Sequence, residues 1–242
     1  MSYLRFHLIF NLPLLAVLAM LGARGPWMSG DLLAVGLVLL AVMVFTSPWD
    51  NFAAKWGIWG FPREKYSLRL GYLPVEEYAF FVLQSLNVML AVRALFRFFP
   101  DWQLGLEAPL SRLTEILLAA SVFGWLLVGL QLLLLRRKAG PRVNYAFHLA
   151  WFLPVIYLQW VLALPILWEH VGLLLIVTGT FGVYYTLADL VAVRAGTWHF
   201  DENQITGVKL ARVLPWEEIA FFFLTSLLVT QSYLMLLPDD LR

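Results

Sequence analysis

Long apolar stretches dominate this chain, and polar residues interrupt them at a few recurring places. Seven stretches, about 6–22, 31–47, 74–97, 113–135, 145–166, 170–190 and 215–236, reach or approach the roughly 20 mostly apolar residues that a membrane-spanning helix needs. The pattern predicts an all-α membrane protein with about seven transmembrane helices. The first stretch, with Arg5 before it and small residues after it, has the outline of a signal peptide. Its counterpart at 145–166 lies in the middle of the chain, so we expect both to be retained helices.

The polar interruptions occur twice. Phe6-His7-Leu8 with Leu12-Pro13 returns as Phe147-His148-Leu149 with Leu153-Pro154, and Leu73–Phe81 returns as Leu214–Phe222, each 141 positions later. Asp50 and Trp59 stand nine apart, as do Asp189 and Trp198, with a slip of two residues. The chain therefore reads as a tandem duplication: a three-helix repeat over 1–110, a linker helix within 111–140 and a second three-helix repeat over 141–242. Equivalent helices are four crossings apart, so the repeats should run parallel and be related by a pseudo-two-fold axis along the membrane normal.

Composition agrees with a bilayer as solvent. Apolar residues make up 61% of the chain and charged ones 14%, with a mean hydropathy of +0.77, outside the range of soluble domains. Twelve of the 17 Lys and Arg residues fall on one side of the seven spans, the densest group being Arg136-Arg137-Lys138. Only Arg24, Arg93, Arg97, Arg112 and Arg242 fall on the other. The positive-inside rule then places the N-terminus in the cytoplasm. A net charge of +1 gives no basic surface for nucleic acid, and the absence of cysteine removes disulfides, thiolate metal sites and cysteine nucleophiles together.

This topology gathers the repeated polar residues near one membrane face. Pro74 and Pro215 suit a first helical turn, which places Glu76-Glu77 and Glu217-Glu218 in first turns as well. Carboxylates there complement the helix dipole by about 0.3–1 kcal/mol each, a purely structural role. Duplication, membrane depth and flanking aromatics favour a functional one, because ionisable residues at the edge of a span usually face a cavity or a partner. Adjacent helix positions point about 100° apart, so one member of each pair faces inward. Glu77 shares a stripe with Phe80, Phe81 and Gln84, and Glu218 with Phe221, Phe222 and Thr225; we therefore expect Glu77 and Glu218 to be the inner carboxyls. An aromatic pocket favours the neutral, proton-donating acid, whereas a helix N-terminus favours the anion. Phe80, Phe81, Phe221, Phe222, Trp59 and Trp198 could stabilise a carbocation through their π faces while offering it no nucleophile.

Asp50 and Asp189 are expected at helix ends, where the dipole disfavours an anion. His7 and His148 are candidate partners for them, a role in tuning or exchanging the proton of the glutamates is another reading, and ion pairs with Arg69 or Arg194 are the plainer alternative. No His-x-x-x-His or Glu-x-x-His spacing accompanies the histidines, so we expect no metal site. Nucleotide-binding glycine motifs, a phosphate loop, a Gly-x-Ser-x-Gly elbow and the Asp-rich run of membrane prenyltransferases are all missing.

At these residues the chain closely resembles the integral-membrane lycopene cyclases, the heterodimeric or fused type unrelated to the flavin-dependent cyclases. The resemblance is carried by Pro48-Trp49-Asp50-Asn51, Trp59, Leu73–Phe81 and Gln84-Ser85, then by Asp189, Gly196-Thr197-Trp198 and Leu214–Phe222. It spans nearly the whole chain and looks like the single-chain form. Leu224-Thr225-Ser226 departs from the family's Thr-Asn at this place.

What the resemblance implies is a cofactor-free isomerisation of lycopene in carotenoid biosynthesis. A carboxylic acid protonates the terminal double bond, the next double bond attacks the tertiary cation, and loss of a ring proton leaves a β-ionone ring. Glu77 or Glu218 would donate the proton, with Glu76, Glu217, Asp50 and Asp189 orienting or accepting. Trp59, Phe80, Phe81, Gln84, Trp198, Phe221, Phe222 and Thr225 would contact a carotenoid delivered from the bilayer of a prokaryotic cell membrane, with His7 and His148 in support. One cleft between the halves and two separate sites fit equally well. Other readings are a cyclase of longer prenylated carotenoids, a carotenoid hydratase, a non-catalytic carotenoid-binding protein and a proton-coupled transporter.

Overall fold

The computed structural model describes residues 1–22, 29–99, 110–136 and 144–238. Seven helices are long and apolar enough to cross a membrane: α1 (Tyr3–Gly22), α2 (Ser29–Lys55), α3 (Val75–Phe98), α4 (Leu110–Arg136), α5 (Asn144–Glu169), α6 (Val171–Arg194) and α7 (Trp216–Leu236). Of the basic residues used for orientation, Arg24, Arg137, Lys138, Arg142 and Arg242 lie outside the described residues.

Three two-residue ladders modify the all-α expectation. Strands β2 (Arg69–Leu70) and β3 (Leu73–Pro74) form a hairpin before α3, and β5 (Lys209–Leu210) and β6 (Leu214–Pro215) form its counterpart before α7. Gly71 turns the first hairpin at φ +65°, and a Cβ there would lie 2.5 Å from Asn51 Oδ1, the atom that accepts from the Tyr72 amide. The third ladder joins the two halves: β1 (Trp59–Gly60) pairs antiparallel with β4 (His199–Phe200), Trp59 opposite Phe200.

Proline shapes the spans. The helix that includes the apolar stretch 31–47 runs on through Pro48 to Lys55, so Asp50 and Asp189, expected at helix ends, each sit five residues before them. Pro13 and Pro154 lack an N–H for the carbonyl four residues earlier. The chain answers with a π-helical turn over His7–Asn11 in α1 and with a break over Ala150–Phe152 in α5.

Helices α3 and α7 touch each other at the centre of the bundle. Each is flanked by the first two helices of its own half, and α2 also reaches α7 while α6 reaches α3. Gly182 lets α6 press against α7, since a Cβ there would lie 2.6 Å from the Phe223 ring, the small-residue contact that helices use where no hydrophobic force drives them together. Helix α4 packs on α5 and turns Ile116, Val122, Phe123 and Leu126 outward.

At the end of the bundle away from the Glu pairs, Arg93 of α3 forms an ion pair with the fully buried Asp31 of α2. Arg93→Ala would take the cation from that buried carboxylate, and removing one partner of a buried pair costs about 3–5 kcal/mol. We expect a clearly lower melting temperature in detergent for Arg93→Ala and a smaller loss for Arg93→Lys.

Candidate active site

Three of the repeated carboxyl groups face one cavity. It encloses about 460 Å³ of space, part of it open to the surroundings, at the end of the bundle where α3 and α7 begin. Asp50, Glu77 and Glu218 are the acidic residues in its wall; all the rest are aromatic, including Trp49, Trp59, Phe80, Trp198, Phe221 and Phe222.

The two members of each Glu pair separate as helical geometry requires. Glu76 turns back under its own hairpin, where Oε1 accepts the Ser67 amide at 2.8 Å. Glu217 does the same with the Thr206 amide at 2.6 Å. Glu77 and Glu218 point into the cavity, and each accepts a tyrosine hydroxyl: Tyr3 to Glu77 Oε2 at 2.8 Å, and Tyr145 to Glu218 Oε2. Each tyrosine also leans on the tryptophan of the other half, Tyr3 on Trp198 and Tyr145 on Trp59, with ring centroids 4.9 and 5.0 Å apart.

The aspartates are held by neither histidine nor arginine, which corrects both expectations. Trp59 Nε1 donates to Asp50 Oδ1 at 2.8 Å, and Trp198 Nε1 donates to Asp189 Oδ1 at 2.7 Å. An indole N–H suits this position because it satisfies a buried acceptor without bringing in a second charge. Among the described residues the ion pairs are Arg93–Asp31 and Lys209–Glu202, so none of these carboxyls is paired with a cation. Asp50 also interacts directly with Glu77. Asp189 is fully buried behind the cavity wall, its Oδ2 without a protein partner.

His7 and His148 lie outside the wall. His7 Nε2 donates to the Glu76 carbonyl and Nδ1 accepts from Asn11. His148 Nε2 donates to the Trp49 carbonyl, Nδ1 accepts from Gln131, and Trp49 Nε1 returns a bond to the His148 carbonyl at 2.9 Å. These bonds occupy both nitrogens of each ring and tie α1 to the start of α3 and α5 to α2. Phe81, Gln84 and Thr225 line a neighbouring cavity, where Gln84 Nε2 donates to Thr225 Oγ1 at 3.0 Å.

Several wall residues were not anticipated: Tyr3, Phe6, Trp49, Phe61, Tyr145 and Phe200. Tyr3 and Tyr145 each precede a repeated Phe-His, but at spacings that differ by one residue, so a fixed offset of 141 passes over them. Trp49 is matched by Ala188 at the Asp-to-Asp offset. On that side Phe6 packs against both Phe80 and Trp198.

Comparison with known proteins gives the same direction. The chain is 34% identical to a bifunctional lycopene cyclase/phytoene synthase of Sporisorium reilianum over 96% of its own length, though it spans only 34% of that longer protein. It is 29% identical to a lycopene beta-cyclase of Halobacterium salinarum, covering 97% of this chain and 95% of the relative. No solved structure matches it. The family model described as lycopene cyclase matches residues 4–99 and 115–236, and with these carboxyls on an aromatic cavity the chain belongs to the lycopene cyclase family.

Proposed function

We propose that this chain is a lycopene β-cyclase that closes acyclic carotenoid end groups by proton transfer alone. One observation carries the mechanism: Glu77, Glu218 and Asp50 face a cavity otherwise walled by aromatic rings. Protonation of the terminal double bond creates a tertiary cation. The next double bond attacks it, forming the ring bond, and a ring carbon then returns a proton to a carboxylate, so the reaction isomerises its substrate. Glu77 or Glu218 supplies the first proton. Each binds a tyrosine hydroxyl through Oε2, and Glu77 also meets the Asp50 carboxyl. Asp50, beside Glu77, is placed to take part in the return step. The faces of Trp49, Phe80, Phe221 and Phe222 stabilise the cation and present no nucleophile to trap it.

Glu76 and Glu217 act indirectly in this scheme, by fixing the two hairpins whose ends lead into α3 and α7. The site draws on both halves, which favours one shared cleft over two separate sites. We take 1–110 and 141–242 as parallel repeats joined through 111–140, with the carboxyl end of the bundle in the cytoplasm of a prokaryotic cell. Arg63, Lys65, Arg69, Lys209 and Arg212 in the loops at that end support this orientation.

Pigment chromatography of lycopene-accumulating bacteria expressing the chain tests the reading. Glu77→Gln and Glu218→Gln should each lower β-carotene formation by about 100-fold or more, the usual worth of a positioned general acid, and Glu76→Gln and Glu217→Gln by much less. The reverse ranking would overturn the assignment. Trp59→Phe and Trp198→Phe each leave a buried aspartate without its donor, at a cost of about 1–3 kcal/mol. Both variants should melt earlier in detergent than the unsubstituted protein. Because the chain has no cysteine, single-cysteine labelling can test orientation. With intact cells, a membrane-impermeant maleimide should modify the Phe98→Cys variant and spare Glu64→Cys.

A further inference from the structure

We infer that the polyene tail of the substrate lies in the second cavity, between α2 and α5 over α7, and that the equivalent passage in the other half is sealed. The inference rests on the cyclase reading and adds to it a single route to the acids.

This cavity encloses about 580 Å³ and shares Phe221 with the wall of the acid cavity. At their junction the Trp49 and Phe221 rings stack 5.3 Å apart and 3° from parallel. Along α2 the cavity follows Thr46, Phe45 and Ala41, and along α7 it follows Thr225, Leu228 and Val229. It therefore leads from the carboxyl end into the depth of the membrane, about 13 Å from Asp50 to Ala41 at 1.5 Å per helical residue. Ala41 is exposed and Val42 and Val155 are half-buried, so the cavity reaches the outer, lipid-facing surface. Of its polar groups, Gln84 and Thr225 bond to each other, Thr225 also donates to the Phe221 carbonyl at 2.9 Å, and Ser232 accepts from Gln159 at 2.7 Å, which leaves the hydroxyls of Thr46 and Ser85 as the other polar groups in the wall. The other nine wall residues are aliphatic or aromatic and none of the fourteen is charged, a lining that suits a long hydrocarbon.

The duplication supplies an internal comparison. At the Asp-to-Asp offset of 139, Ala41, Phe45 and Thr46 correspond to Thr180, Tyr184 and Tyr185; at 141, Phe152 and Leu228 correspond to Asn11 and Asn87. These replacements fill the second passage with hydrogen-bonded polar groups. Tyr184 donates to the Phe10 carbonyl at 2.7 Å, Tyr185 to Asn11 Oδ1 at 3.0 Å, and Asn87 Nδ2 to the Tyr185 hydroxyl at 2.9 Å. Asn11, Asn87 and Tyr185 are all fully buried. A polyene entering there would leave those groups unpaired in a hydrocarbon setting, which costs far more than an apolar tail returns.

The matched positions Ala41 and Thr180 are both exposed, so a phenylalanine at either should be tolerated by the fold. In nanodiscs, lycopene binding is read from quenching of tryptophan fluorescence and ring formation from chromatography. Ala41→Phe should weaken lycopene binding about tenfold and slow cyclisation in parallel. Thr180→Phe should change both by less than about twofold. Equal effects at the two sites, a larger effect at Thr180, or no effect at Ala41 would overturn the groove assignment. If the unsubstituted chain binds lycopene but closes no ring, the cyclase reading falls while the quenching comparison still decides the groove. If it neither binds nor cyclises lycopene, both fall.

Discussion

Carboxyl groups gathered inside an apolar bundle need hydrogen-bond partners, and in this protein the partners are uncharged. A lysine or arginine beside Asp50 or Glu77 would satisfy the acceptors but would also hold them as anions in a fixed ion pair. Indole N–H groups and tyrosine hydroxyls satisfy the same atoms and leave the carboxyls able to exchange protons. The partner rings also form the cavity wall. One set of aromatic residues thus solves a burial problem and creates a surface suited to a cation. Helix positions, hairpins and the ladder between the halves all serve to bring these donors to these acceptors.

That ladder explains why the site is a joint product. Trp59 and Trp198 lie at the ends of loops that pair with each other, and each indole turns back to the aspartate on its own preceding helix. The tyrosines complete the exchange by binding a glutamate of their own half while leaning on the tryptophan of the other. Neither half could form the cavity by itself. The halves nevertheless differ: Asp50 faces the cavity and Asp189 does not, and Trp49 stands where the other half has Ala188.

Much of this was legible in the chain. Seven apolar stretches announce seven spans because bilayer thickness sets helix length, and a backbone in lipid must satisfy itself. The inward turn of Glu77 and Glu218 followed from helical periodicity and their aromatic stripes. Asp50 was expected at a helix end, yet its helix carries Pro48 within it and runs on to Lys55, as a membrane helix can. The partners of Asp50 and Asp189 were misjudged because charge complementarity pointed to His and Arg, whereas the nine-residue spacing to each tryptophan became meaningful only once the loop folded back.

By itself, the sequence determined the number of helices able to span a membrane, the recurrence of the paired motifs, the family and the residues able to carry acid chemistry, since hydropathy, spacing and motif are local properties of the chain. Only the tertiary structure decided which oxygen meets which donor, which carboxyls share a cavity, and that one passage is open where its twin is filled. These depend on residues far apart in the chain, such as Tyr185 and Asn11, which stand 174 positions apart. Contacts of that range come from helices crossing one another, and no periodicity along a single helix encodes them.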